Sequence, residues 1–354
     1  MSVHAKFRNS MAVVMTTIWG PACREDAGLI DLRDPHGALG NQRQNIAFGR
    51  LVPGRLFDIF LVSETGDDLV NLTNHPASDL NPVWSPDGLS LAFESNRDGA
   101  TNIYTMTATG ENVRNISAIE RRATEPDWSP DGRSIAFQGE TVSSIDIYAV
   151  SLADLSRRNL TNGDGLNYYP RYSPDGTRIA FLSDRNGRLG LHVMNADGSD
   201  QKWITDISGV DASFTLKWSP DSRIILYSFS FGGLRDLFRI NADGSERTNL
   251  TNHPADDVLG DWSPDGKEII FQSNRVGVFW IYRMNSDGGN LVRITSGNDE
   301  SDASYSPTGG RVLFLSSRRG AFELWIVDLA GLVEGLVTPT LASDRTPRWR
   351  PTRR

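Results

Sequence analysis

The chain has 354 residues, 38% of them hydrophobic, with 33 glycines, 17 prolines and one cysteine. Its formal net charge of −8 argues against nucleic-acid binding, which wants a basic surface. The lone Cys23 excludes an internal disulfide framework and a cysteine-based zinc site, and no run approaches the ~20 apolar residues that cross a bilayer.

Residues 1–44 stand apart from the rest of the chain. Lys6 and Arg8 precede an apolar run at 11–19, and Gly20-Pro21-Ala22-Cys23 comes next. A basic start, a short apolar run and small residues at a cleavage point have the layout of a secretory signal. The mature chain is therefore expected to begin at or after Cys23. That cysteine is also where a lipid anchor would sit, with Gly20 in place of the Leu-like residue a bacterial lipoprotein signal prefers. Residues 24–44 are polar with scattered Gly and Pro, and read as a linker. The domain proper is 45–354.

From residue 45 the text repeats. Trp84 has counterparts at Trp128, Tyr172, Trp218, Trp262, Tyr305 and Trp349, at intervals of 44, 44, 46, 44, 43 and 44 residues. A fixed period of this size marks a repeat architecture. Each aromatic opens a turn such as Ser85-Pro86-Asp87-Gly88, in which Pro presets φ, Ser and Asp bind local backbone, and Gly closes. A short apolar run comes after it (Leu91-Ala92-Phe93, Ile135-Ala136-Phe137), then a second (Ile103-Tyr104, Ile147-Tyr148), then Ile116 or its equivalent before Ser or Thr. Four short β-favouring runs between turns predict a four-stranded antiparallel meander.

One such sheet cannot bury both faces, whereas a ring of them can, which predicts a β-propeller. The first unit, 45–73, lacks its aromatic strand, and Pro347-Arg348-Trp349-Arg350-Pro351 is an aromatic strand with nothing after it. The C-terminal strand is thus expected to complete the first unit and close a seven-bladed ring, with Trp349 beside Phe48 and six blades as the alternative. Closure also removes free sheet edges.

The loops joining one blade to the next should emerge together at the channel mouth. They carry His75, Asp79, Asp164, Asp206, Asp211, His253, Asp256, Asp257, Asp299, Glu300, Asp302 and Asp344. Such a ring would focus a negative field on the mouth and draw cationic groups to it. His75 and His253 lie in near-copies, Asn74-His75-Pro76-Ala77 and Asn252-His253-Pro254-Ala255. They admit a divalent metal, and the acidic loops admit Ca²⁺ in the channel, but turn chemistry inherited by two repeats explains Asn-His-Pro as well. The chain contains no Gly-x-Ser-x-Gly elbow and no His-Glu-x-x-His. His192 replaces a repeated aromatic, so packing is its expected role. The sequons at Asn71, Asn115, Asn159 and Asn249 fall on the repeat's own fourth strand, which makes them structural.

These residues resemble the TolB-like (WD-like) propeller family, which repeats Pro-x-Trp-Ser-Pro-Asp-Gly, Ile-Ala-Phe-x-Ser, Ile-Tyr-x-Met-Asn-x-Asp-Gly and Leu-Thr. The segment from Pro82 to Gly88, that from Leu91 to Ser95, that from Ile281 to Gly288, and Leu250-Thr251 carry the match. The family's namesake is a periplasmic partner of an envelope complex, with six blades behind an α/β domain, and this sequence departs from that layout. The resemblance implies a non-catalytic, monomeric scaffold of the bacterial envelope that binds a protein, periplasmic or exported, without a cofactor. Two other readings go with the repeat: a metal-dependent carbohydrate lyase or hydrolase, and a detached gating domain of a prolyl-oligopeptidase-type peptidase. The expected docking surface is the mouth, through His75, Asp79, His253, Asp256, Asp257, Asp299, Glu300, Asp302 and Asp344.

Overall fold

The computed structural model describes residues 44–207, 215–231 and 233–352. The expected N-terminal signal and the linker up to residue 43, with Cys23, lie outside the described residues, as does Asp211. Among the described residues no helix is long and apolar enough to cross a membrane.

The described chain forms seven four-stranded antiparallel sheets. The first contains the strand Asp344–Trp349, then Gln44–Leu51, Phe57–Ser63 and Val70–Asn71. Ile46 pairs with Trp349 and Ala47 with Arg348, so the last strand completes the first blade and the six-bladed alternative falls. Each blade's first strand touches the first strands of both neighbouring blades, and Asp344–Trp349 touches both Asp79–Trp84 and Glu300–Tyr305. The seven aromatic-bearing strands therefore form the inner ring around the channel.

The apolar runs sit on the second strands, and Leu91, Ala92, Phe93, Ile135, Ala136 and Phe137 are all fully buried. Consecutive residues are buried because both sheet faces are covered by neighbouring blades. Within a blade the second-strand Phe lies on the third-strand aromatic, as in Phe137 on Tyr148 at 5.7 Å.

Four of the five ring tryptophans, all but Trp262, tie blades together through the indole N–H. Trp84 Nε1 donates to the Arg348 carbonyl at 3.3 Å, Trp128 to Val83 at 3.1 Å, Trp218 to Arg171 at 3.0 Å and Trp349 to Ser304 at 3.2 Å. Each acceptor is the residue before the aromatic in the preceding blade. Arginines add staples: Arg350 Nε donates to the Gly88 carbonyl at 2.7 Å and Arg178 to that of Ser222 at 2.6 Å. Their guanidinium groups lie over the Trp84 and Trp218 rings.

The turns work as their composition predicts. Ser85 Oγ donates to Asp87 at 2.6 Å and accepts from the Ser90 amide at 2.9 Å, while Gly88 takes φ +66°. Where Gly is lost, Ser222 adopts φ +62° itself. The sequon asparagines are consumed by the fold: Asn71, Asn159 and Asn249 donate to Asp58, Asp146 and Asp236 at 2.8–3.0 Å. His192 is a core residue, stacked on Phe181 at 5.3 Å with its Nδ1 donating to the Gly190 carbonyl at 3.1 Å. Burial pushes its pKa down to about 4, so it is neutral.

Ring closure and the buried histidine can both be tested by unfolding. Trp349→Ala should cost about 3–5 kcal/mol, and removing residues 344–354 should abolish cooperative unfolding, both read by urea denaturation; an unchanged midpoint would refute closure. His192 binds its proton less well when folded, so its contribution to stability is full above the unfolded value of ~6.5 and is lost as pH falls toward 4. A His192→Phe variant should therefore gain on the wild type by up to about 3 kcal/mol between pH 7 and pH 4, at roughly 1.4 kcal/mol per unit. Parallel stability curves for the two proteins would show that the histidine is not held neutral.

Candidate functional site: the channel mouth and wall

The loops that enter the inner strands and the hairpins between second and third strands share one end of the ring. A four-part unit recurs there. In the second blade, Arg97 of the hairpin donates through Nε to Ser95 Oγ at 2.9 Å and through Nη2 to both oxygens of Asp79 at 3.0 and 3.1 Å. Its guanidinium lies over Phe93 at 5.3 Å and Tyr104 at 4.9 Å. Arg275 repeats this with Ser273, Asp257, Phe271 and Tyr282. Arg318 does so with Ser316, Glu300, Phe314 and Trp325. In the fourth blade Arg185 meets Asn167 at 2.9 Å, and in the first Arg50 forks onto Asp344 at 2.6 and 2.9 Å.

This corrects the expectation of an open acidic ring. Asp79, Asp257, Glu300 and Asp344 are fully buried, each held by an arginine of its own blade. They lock the hairpin, or in the first blade the end of the second strand, to the inner strand and are fully buried. Burial pushes the carboxyls of Glu300 and Asp344 up against the pull of their arginines. Asp256 is paired too, with Arg235 at 3.0 Å. Asp164 is largely exposed, 3.6 Å from Arg185, and Asp206 lies 2.9 Å from Arg188. Asp299 is exposed and Asp302 half-buried.

The two histidines are held by their own turns. Each backbone amide donates to an aspartate of the neighbouring third strand, His75 to Asp58 and His253 to Asp236, both at 3.2 Å. His75 Nδ1 accepts from the Ala77 amide at 3.1 Å. One loop joins blades one and two, the other blades five and six, so the ring keeps them on opposite sides. Among the described residues no three of His, Cys, Asp and Glu are placed together to hold a metal ion.

Sequence reasoning misses the channel wall. Three residues before the ring aromatic, six inner strands carry a bulge, and its first residue has positive φ: Asn81, Glu125, Tyr169, Leu259, Asp302 and Thr346, at +46° to +58°. All six are half-buried on the strand nearest the axis, so their open side is the channel. The next residue, Pro82, Pro126, Pro170, Gly260, Ala303 or Pro347, is buried in every case. Left-handed conformation is costly for Leu, Tyr and Thr. The signal in the sequence is the x-Pro pair before the aromatic.

The wall is chemically uneven. Arg171 Nη2 reaches Glu125 at 2.7 Å across the seam between blades three and four, and Asp127 accepts the Tyr172 amide there at 2.7 Å. Burial raises Asp127 to about 6. Lys217 faces Asp261 at 3.6 Å. Glu94, buried on the second strand of blade two, accepts the Glu125 amide at 3.0 Å.

The Arg–acid unit makes an unequal prediction for two acids at the same end of the ring. Asp257→Asn or Arg275→Met strands one member of a buried pair and should cost roughly 3–5 kcal/mol, whereas Asp299→Asn should stay within about ±0.5 kcal/mol. Chemical denaturation measures both, and equal effects would remove the distinction between frame and surface.

Known proteins share this fold. The TolB beta propeller domain model matches residues 42–164, 119–212 and 207–354. Among solved structures, TolB from Acinetobacter baumannii superposes with a TM-score of 0.55 at 20% identity, over 87% of this chain and 82% of that one. An oligogalacturonate lyase from Vibrio parahaemolyticus gives 0.62 at 16% identity, over 81% and 86%. A puromycin hydrolase gives 0.67 at 17% identity, over 86% of this chain and 53% of the hydrolase. No curated protein matches the sequence. Likeness at these identities speaks for the fold alone, but the domain model spans nearly all the described residues, and the chain belongs to the TolB beta propeller domain family.

Proposed function

We propose that the chain is a non-catalytic protein-binding scaffold of the bacterial envelope, exported like the TolB proteins it resembles, and that its partner docks at the channel mouth. The observation that carries this reading is the row of left-handed residues on the inner strands. Six left-handed positions present six different side chains to the channel, in the half of each strand nearer the mouth. Strain kept at the same place in blade after blade points to a surface under functional demand. The arginine–acid units behind it hold that surface rigid, which lowers the ordering cost of binding. Asp299 and Asp302 stand at the rim without an ion pair within 4 Å among the described residues, and supply the charge that a cationic partner would read.

A photo-reactive side chain at position 299, tested against one at Asp265 in the opposite-face turn, checks the docking face. Cross-links to a partner should form from 299 alone, and labelling from 265 only would move the docking face to the other side. Asp299→Asn with Asp302→Asn should weaken capture while leaving unfolding unchanged, and the loss should shrink as salt screens the charges over ~8–10 Å.

A further inference from the structure

We propose that Glu94 is a proton-operated latch in the channel wall: a proton taken up by its carboxyl loosens the hold of blade two on the Glu125 amide across the seam of blades two and three. The position of Glu94, next after the second-strand aromatic, is held in the other blades by Gly49, Gln138, Leu182, Ser228, Gln272 and Leu315. None of those is ionisable, and glutamine, the neutral isostere, occupies it twice. The fold accepts a neutral side chain there, so the carboxyl of Glu94 is not required by packing.

Its surroundings make it responsive. Glu94 is 7% exposed and its Oε1 accepts the amide of Glu125, a residue at φ +58°. The Glu125 carboxylate is held from the other side by Arg171. One strained residue of blade three is therefore gripped through its backbone by blade two and through its side chain by blade four. The groups facing Glu94 are Asn81 from its own inner strand, Glu125 and Arg122 from that of blade three, and apolar Ile103 from its own third strand. Burial is the largest influence and the Glu125 charge the next; the Glu125 amide, Asn81 and Arg122 pull back, and the carboxyl ends at about 7.

Protonation turns the charged acceptor of the Glu125 amide into a neutral and weaker one, and takes one negative charge from the wall. The inner-strand positions three before and one before the ring aromatic hold four acids (Glu125, Asp127, Asp261, Asp302) and three bases (Arg171, Lys217, Arg348). One further charge on Glu94 is thus a large change in a nearly balanced channel. If docking at the mouth is right, attraction for a cationic partner falls as pH falls through this transition.

The test needs no partner, so its failure would leave the docking proposal standing. The Glu125 amide shift of the ¹⁵N-labelled full chain is followed from about pH 5 to about pH 9. In the wild type it should titrate with a midpoint near 7. In Glu94→Gln it should be flat over that range. In Glu125→Gln, the residue-125 amide should titrate with a lower midpoint, because the repelling charge is gone. A wild-type midpoint in the ordinary carboxylate range, a transition that survives in Glu94→Gln, or an unmoved midpoint in Glu125→Gln would each overturn the latch.

Discussion

Each blade of this protein has two apolar faces and no means of covering either one alone. Phe93 and Phe137 are wholly buried in sheets of four short strands, which is possible only when neighbouring blades close over both sides. Closure is therefore a condition of folding. The C-terminal strand meets it by pairing with Gln44–Leu51, and the indole hydrogen bonds then fix the angular step from blade to blade. A tryptophan suits that role because it adds a directed donor to a large apolar surface. Where tyrosine replaces it at Tyr172, an aspartate takes over part of the task by binding the next blade's backbone amide.

The same logic explains why the acidic character of the chain does not appear as an acidic mouth. A carboxylate at the start of an inner strand lies under the hairpin of its own blade. Left unpaired there it would carry a heavy desolvation cost, and the hairpin arginine, itself stacked on the blade's aromatic pair, removes that cost. What remains exposed at the mouth among the described residues is a short set of acids, Asp299 without an ion pair and Asp164 and Asp206 each beside an arginine. Field focusing by seven loops, which the composition suggests, is therefore weaker than a count of acidic residues implies.

The fold was legible because its signals are local and repeated: the interval between aromatics, the Ser-Pro-Asp-Gly turn, the split first unit. The site was less so. Asp256 and Asp257 are adjacent, as are Asp299 and Glu300, yet in each pair the second is fully buried and the first is not. Side chains alternate along a strand, so one residue of register decides between frame and solvent, and composition cannot supply that register. A constant separation of 18 residues links Asp79 to Arg97, Asp257 to Arg275 and Glu300 to Arg318. That spacing is present in the sequence and exposes the pairing once it is sought. The bulge is harder to see, because left-handed φ at Leu259 or Thr346 contradicts the preference of those residues.

Seven internal copies also act as seven samples of what the architecture demands. The ring aromatic is always Trp or Tyr, and the residue two before it is Pro, Gly or Ala wherever a bulge is described. The residue three before it is Asn, Glu, Tyr, Leu, Asp or Thr, with no common size, charge or polarity. A bulge separates these roles, since it keeps the aromatic in the seam while turning one side chain out of the sheet pattern toward the axis. The backbone cost, of order 1–3 kcal/mol for a residue held in a sparsely populated region, falls on the position the fold leaves free in identity. Within this one chain, then, the positions that repeat carry the ring, and those that vary face the channel. The chemistry particular to this chain is to be read along that wall, where Glu125, Arg171 and the buried Glu94 set one side apart from the other.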